Sequence, residues 1–203
     1  MSAARDETLA AVRSAIAGAT PPAPVRRSYR RDGKRPPSDR IDLLSERLVD
    51  YRANVRRVGA VGLRAAVDEL ARGRIGVPPG LPKEWRPPGA VDDYDLQPRE
   101  LDALGGVLTG CTVAVAETGT LVLAGGPAEG RRALTLVPDL HVCVVRAEQI
   151  VETVPEAFEV LRDVARRPLT FVSGPSATSD IELKRVEGVH GPRRLVVVII
   201  EEE

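Results

Sequence analysis

The chain has 203 residues and carries 29 Lys and Arg against 29 Asp and Glu, a formal net charge of +0. That balance gives no electrostatic footprint for wrapping nucleic acid or lying on an anionic membrane, and an aromatic content of 3% supplies no platform for stacking single-stranded bases. A chain of this length buries one sizeable core, so one α/β domain with an extra arm is expected rather than two full domains.

The two cysteines, Cys111 and Cys143, each lie inside an apolar run, and no Cys-x-x-Cys pair occurs. They read as buried free thiols in a reducing compartment, and they are too few to hold an iron–sulfur cluster within this chain. The first residues contain no apolar stretch of signal-peptide length, and the longest apolar run, Leu195 to Ile200, is too short to span a bilayer. A cytoplasmic protein is expected.

In chain order, Asp6 to Ala17 places Leu9, Val12, Arg13 and Ile16 at helical spacing and stops at Gly18. Thr20 to Pro37 is proline-rich and basic, with Arg26, Arg27, Arg30, Arg31, Lys34 and Arg35, and reads as a solvated tether, the alternative being a run that holds an acidic partner. Residues 1–37 thus form an arm, and residues 38–203 the domain. Ser38 to Tyr51 is the first long helix, with Ile41, Leu44, Leu48 and Val49 on its apolar stripe and Ser38 as its cap. A strand over Ala53 to Val58, a helix over Val61 to Leu70 and a strand over Arg74 to Val77 follow. The prolines of Pro78 to Gly89 exclude helix and central strand there, and Trp85 either plugs an edge of the core or lines a pocket.

Glu100 to Leu104 reads as a short helix opened by Pro98. Gly105 to Thr109 and Cys111 to Ala116 read as buried strands, and Leu121 to Leu123 resumes the same sheet after the turn Glu117-Thr118-Gly119-Thr120. A glycine loop, Gly125 to Gly130, closes on Arg131 and Arg132. Ala133 to Val137 and His141 to Val145 read as two more strands, and Glu152 to Val164 as a helix with Val154, Ala157, Phe158 and Leu161 inward. Leu169 to Val172 and Arg194 to Ile200 complete the strands. Short apolar strands alternating with helices make the class α/β, a class that binds ligands at carboxyl strand ends.

The stretch after Leu169 to Val172 concentrates the chemistry. Ser173, Gly174, Ser176, Thr178 and Ser179 form a turn of small and hydroxyl residues, and Ser179 and Glu182 have capping-box spacing for a following helix. Unpaired amides under the positive end of a helix dipole suit a carboxylate or phosphate, although the same residues also make ordinary turns. His190, before Gly191-Pro192, can exchange a proton near neutral pH. Arg131 and Arg132 offer a bidentate clamp for a carboxylate, or one of them pairs with Asp139 or Glu129. His141, among apolar neighbours, reads as a structural histidine. No histidine and acid pair has the spacing of a metal site.

Gly110-Cys111, Ala116 to Thr120, Arg131 to Leu136 with Pro138-Asp139 and His141, and the whole of Ser173 to Pro192 resemble the LUD domain of the lactate utilization protein C family. The resemblance runs from about Arg40 to the C-terminus. It implies the Rossmann-like three-layer α/β fold shared with ribose-phosphate isomerase, glucosamine-phosphate deaminase and the coenzyme A transferases. It also implies a bacterial cytoplasmic protein that works with two iron–sulfur partner proteins in oxidising L-lactate to pyruvate, with no cofactor of its own. In the coenzyme A transferases of this fold a glutamate in a Glu-x-Gly turn attacks the acyl thioester, and Glu117-Thr118-Gly119 is similar to that turn. Glu117 is therefore a candidate nucleophile or general base with His190 as a second catalytic candidate; the alternatives are a coenzyme A transferase-like or phosphosugar-type enzyme using Glu117, a turn carboxylate bonded to nearby amides, or a docking scaffold without chemistry.

Overall fold

A computed structural model describes residues 3–18, 24, 28–175 and 191–201. The elements are helices α1 (Ala3–Ile16), α2 (Pro37–Asp50), α3 (Leu63–Leu70), α4 (Pro98–Asp102) and α5 (Val154–Leu161), and strands β1 (Asn54–Gly59), β2 (Ile75–Val77), β3 (Ala90–Asp92), β4 (Gly106–Thr109), β5 (Val113–Val115), β6 (Thr120–Leu123), β7 (Leu140–Arg146), β8 (Ile150–Val151), β9 (Thr170–Val172) and β10 (Arg194–Glu201).

Six strands form an all-parallel sheet in the order β1-β10-β7-β4-β2-β3. A parallel sheet is buried on both faces, so its central strands need apolar side chains at both parities. In β7, Leu140, Val142 and Val144 point to one face and Cys143 and Val145 to the other; in β10, Val196 and Val198 oppose Leu195, Val197 and Ile199. The first face is covered by Leu63, Val67 and Ala71 at α3, with Leu81 and Trp85 from the proline-braced loop. Trp85, in a 3-10 turn over Lys83–Trp85, is buried and plugs this face. The second face is covered by Ile41, Leu44 and Leu48 of α2 and by a second sheet through Ala114, Leu121 and Ile150. These layers make a Rossmann-like three-layer α/β domain.

The second sheet has the order β8-β5-β6-β9. Its presence corrects the expectation that Leu121 to Leu123 rejoin the main sheet. The turn between β5 and β6 is too short for the crossover a parallel pair requires, so the two strands pair antiparallel, Val113 opposite Val122 and Val115 opposite Thr120. The outward residues Val113, Val115 and Val122 are closed by Ala157 and Leu161 of α5.

Several expectations from spacing are corrected. Ala133 to Val137 is a series of turns, not a strand, with Leu134 N–H donating to the Arg131 carbonyl and Val137 N–H to that of Ala133. Val49 is 59% exposed, one step of about 100° round the helix from Leu48. Phe158 is 56% exposed because α5 covers only the small sheet; its ring meets Phe171 at 6.4 Å. Helix α2 is opened by Pro36 and Pro37, while the Ser38 hydroxyl donates to Asp39 at 3.1 Å. Helix α5 begins after Glu152, capped by Thr153. Helix α1 buries none of its residues.

Leu48 is fully buried between α2 and the main sheet. Leu48→Ala is expected to cost about 3 kcal/mol and, for a domain of this size, about 6–12 °C in melting temperature. Thermal unfolding of the two proteins checks this.

Candidate functional site

The short β5–β6 turn is zipped to the end of β8: Ala116 N–H donates to the Val151 carbonyl at 2.9 Å and Glu117 N–H to that of Glu152 at 3.1 Å. Three hydroxyls form a chain across the turn. Thr118 and Thr120 share a hydrogen bond of 2.8 Å, and Thr120 shares one of 2.7 Å with Ser173, just beyond β9. Two glycines press this assembly onto the end of α2. A Cβ on Gly119 (φ +59) would lie 2.8 Å from Cβ of Arg47, and one on Gly174 (φ +84) would lie 2.5 Å from the Tyr51 carbonyl oxygen. Glu117, Ser173 and Gly174, far apart in sequence, thus meet at one junction, with the Glu117 side chain 31% exposed.

The segment 28–36 lies along this junction, which corrects the reading of a solvated tether. Glu152, at the turn after β8, has a side chain 3% exposed. It accepts from Lys34 N–H at 2.7 Å, Arg35 N–H at 2.6 Å and the Arg35 guanidinium at 3.0 Å. Gly33 N–H donates to Glu156 at 3.2 Å, and the Thr153 hydroxyl donates to the Arg31 carbonyl at 3.3 Å. Gly33 packs so closely that a Cβ there would lie 2.3 Å from Cβ of Glu152. The Arg30 guanidinium pairs with Glu117 and reaches Glu152 at 3.5 Å. The arginines keep their outer faces in water, but a buried carboxylate holds their backbone.

These contacts set the charge states. The Arg35 amide, with that of Lys34 and the guanidiniums of Arg35 and Arg30, holds Glu152 below the usual carboxylate range. Burial works to raise Glu156, but the amides of Thr153 and Gly33 outweigh it and leave that carboxyl lowered too. The hydrogen bond to Glu117 raises Arg30.

Arg131 and Arg132 stand elsewhere. Arg131 donates through Nε and Nη2 to both Asp93 oxygens at 2.8 Å, so the predicted ligand clamp is instead an internal ion pair. Its partner is neither Asp139, which faces Arg193 at 3.5 Å, nor Glu129, which accepts from Thr112 and from the amides of Ala124 and Gly126. Burial lowers Arg132, whose Nη1 donates to Thr135 at 3.2 Å. Both arginines line a cleft of ≈ 570 Å³ with Pro79, Gly125, Gly126 and Thr170, beyond the carboxyl ends of β2 and β3. Thr170 and Ser173 sit at opposite ends of β9, about 10 Å apart along a strand, so the predicted site residues divide between two places.

Ser176, Thr178, Ser179 and His190, and the capping box ending at Glu182, lie outside the described residues. His141 is 1% exposed and shares a hydrogen bond of 2.8 Å with Thr109, a satisfied core histidine. Cys111 and Cys143 are free and buried; the hydrogen bond between them and burial push the Cys111 thiol up. Among the described residues, no group of three or more His, Cys, Asp and Glu gathers as a metal site requires, and no helix is long and apolar enough to cross a membrane. Sequence reasoning missed Glu152, Thr120 and the use of Arg30. The signal for Glu152 was an acid closing the apolar run Ile150-Val151, just before the capping box Thr153–Glu156.

A parallel sheet layered between helices and a small mixed sheet, with a carboxylate and hydroxyls gathered on a glycine turn, defines a Rossmann-like α/β domain with a polar junction at the margin of its second layer. The chain belongs to the LUD domain family, whose model matches residues 97–200 and so takes in Glu117 and Ser173 but not segment 28–36. It is 45% identical over 209 residues to a protein named lactate utilization protein C from Deinococcus radiodurans, covering 97% of this chain and 95% of that protein. It is 30% identical over 126 residues to a protein of the same name from Bacillus licheniformis, covering 59% of this chain and 51% of the relative. Its structure is similar, with a TM-score of 0.73 and 40% identity, to a crystal structure of a DUF162 family protein from Deinococcus radiodurans, over 82% of this chain and 99% of that one.

Two outcomes are expected. Gly174→Ala forces a side chain into left-handed backbone against Tyr51 and is expected to destabilise by at least about 1–2 kcal/mol, whereas Gly191→Ala, with nothing within 4 Å of its Cβ, stays close to wild type in denaturant titrations. Because Glu152 and Glu156 are lowered in the folded chain, their contribution is complete above the ordinary glutamate value of about 4.3 and disappears as the pH falls further. Hydrogen-exchange protection of the Lys34 and Arg35 amides is expected to be flat from neutral pH down to that value and to drop below it.

Proposed function

We propose that this chain is a subunit or accessory protein of a bacterial system that oxidises L-lactate to pyruvate, acting in the cytoplasm with iron–sulfur partner proteins. The observation that carries this reading is the 45% identity over nearly the whole length of a lactate utilization protein C. The junction supports it chemically. Thr118, Thr120 and Ser173 form a hydroxyl chain on the turn that carries Glu117; two of its three protons bond within the chain and one is left for a small 2-hydroxy or 2-oxo acid.

In this reading the remaining proton of the hydroxyl chain is donated to a carboxylate oxygen of the ligand. Glu117, paired with Arg30, accepts a hydrogen bond from the ligand's hydroxyl and takes its proton. An ion-paired, partly hydrated carboxylate is a weak nucleophile, so the pairing favours this role over acyl transfer through Glu117. Iron–sulfur clusters, which this reading assigns to the partner proteins, would supply the electron acceptor for the oxidation.

The test is complementation. In a Deinococcus radiodurans strain lacking its own lactate utilization protein C, this chain is expected to restore growth on L-lactate. Glu117→Gln and Ser173→Ala, at equal protein levels, are expected to slow that growth several-fold or abolish it. Failure of the wild-type chain to restore growth, despite folded protein in the cell, overturns the role in lactate oxidation; full restoration by Glu117→Gln removes Glu117 from it.

A further inference from the structure

The junction carries three carboxylates, Glu117, Glu152 and Glu156, beside the hydroxyls of Thr118, Thr120 and Ser173. Alone, that set repels an anion, because three like charges dominate the local potential. The guanidiniums paired with them, Arg30 and Arg35, both come from segment 28–36, which holds four cations (Arg30, Arg31, Lys34, Arg35) and one anion (Asp32). Docking this segment, with a net charge of +3, cancels the charge of the three carboxylates and leaves the exposed Arg30 guanidinium facing a ligand.

The dock is a built feature. Two successive amides converge on a carboxylate that is almost wholly buried, and Gly33 fits where no side chain has room. Arg30 is left 55% exposed, and its contacts with Glu117 and Glu152 run through Nη2 and Nη1. A guanidinium has five N–H donors in a planar fork, a geometry that matches carboxylate and phosphate oxygens.

We propose that residues 28–36 are part of the binding site, with Arg30 as its anion-recognising residue and a small carboxylate or phosphate as its ligand. The arm converts a junction that repels anions into one that holds them. Arm docking and anion binding are then coupled, and the coupling is reciprocal: a bound anion tightens the arm as the docked arm tightens the anion. The inference rests on the reading of the junction as an anion site and adds that the arm completes it.

The experiment is calorimetric titration of the full chain with pyruvate, L-lactate and inorganic phosphate separately, alongside Arg30→Ala, Arg30→Lys and Glu152→Ala. At least one of the three anions is expected to bind the wild-type chain, and which one does so separates carboxylate from phosphate. Its affinity is expected to fall at least tenfold in Arg30→Ala and to recover in part in Arg30→Lys. Glu152→Ala is the sharper variant: losing a negative charge should tighten anion binding if the arm plays no part, whereas the proposal requires weaker binding because the arm loses its acceptor. The bound anion is also expected to slow hydrogen exchange at the Lys34 and Arg35 amides. Undiminished binding in Arg30→Ala, or tighter binding in Glu152→Ala, overturns the inference and leaves the anion site standing. Absence of binding by all three anions overturns both.

Discussion

Strands β7 and β10 lie side by side in a parallel sheet with apolar side chains on both faces, and the remainder of the fold follows from covering them. Helix α3 and the Trp85 turn close one face. The other needs more area than α2 supplies, and the β5–β6 hairpin completes it by laying Ala114 and Leu121 against Val145, Val197 and Ile199. A hairpin is itself two-faced, so its outer side draws in α5 through Ala157 and Leu161. The turn that joins β8 to α5 then falls next to the hairpin tip. Glu152 and Glu117 become neighbours as a consequence of core coverage.

The second constraint is electrostatic. A carboxylate as deeply buried as that of Glu152 requires hydrogen bonds and a counter-charge. Among the described residues, the donors to that oxygen pair come from a segment more than a hundred residues earlier. Segment 28–36 is thereby drawn into the architecture of the domain, although it lies outside the residues matched by the family model. Asp93 solves the same problem within the body of the domain, with Arg131 as its partner.

The α/β class, both central strands and most helix positions were legible because they rest on local patterns. The unbroken apolar runs Val142 to Val145 and Leu195 to Ile199 announce strands buried on two faces, and Ile41, Leu44 and Leu48 announce a helical stripe. The division into two sheets was not legible: Cys111 to Ala116 and Leu121 to Leu123 are apolar enough for a central position in either. Only the shortness of the turn at 116–119, which forbids a crossover, separates the possibilities. Ala133 to Val137 misled for the opposite reason, since Leu134 and Val137 are also one helical turn apart. At the candidate site, glycines and hydroxyls marked Glu117 to Thr120 and Ser173-Gly174 as turns of interest. The pairing of Arg30 with Glu117, and of Arg131 with Asp93, joins residues whose spacing along the chain carries no periodic signal.

Trp85 is the chain's single tryptophan and is 6% exposed in the core on the α3 face of the main sheet. The junction, with α2, the hairpin tip and the arm, belongs to the opposite face. Intrinsic tryptophan emission therefore observes one side of the molecule only: it follows loss of the α3 layer and is silent when the arm lifts from Glu152. A second fluorophore on the arm would give the two halves separate optical signatures, and the order in which they respond to denaturant would show whether the domain melts as one cooperative unit.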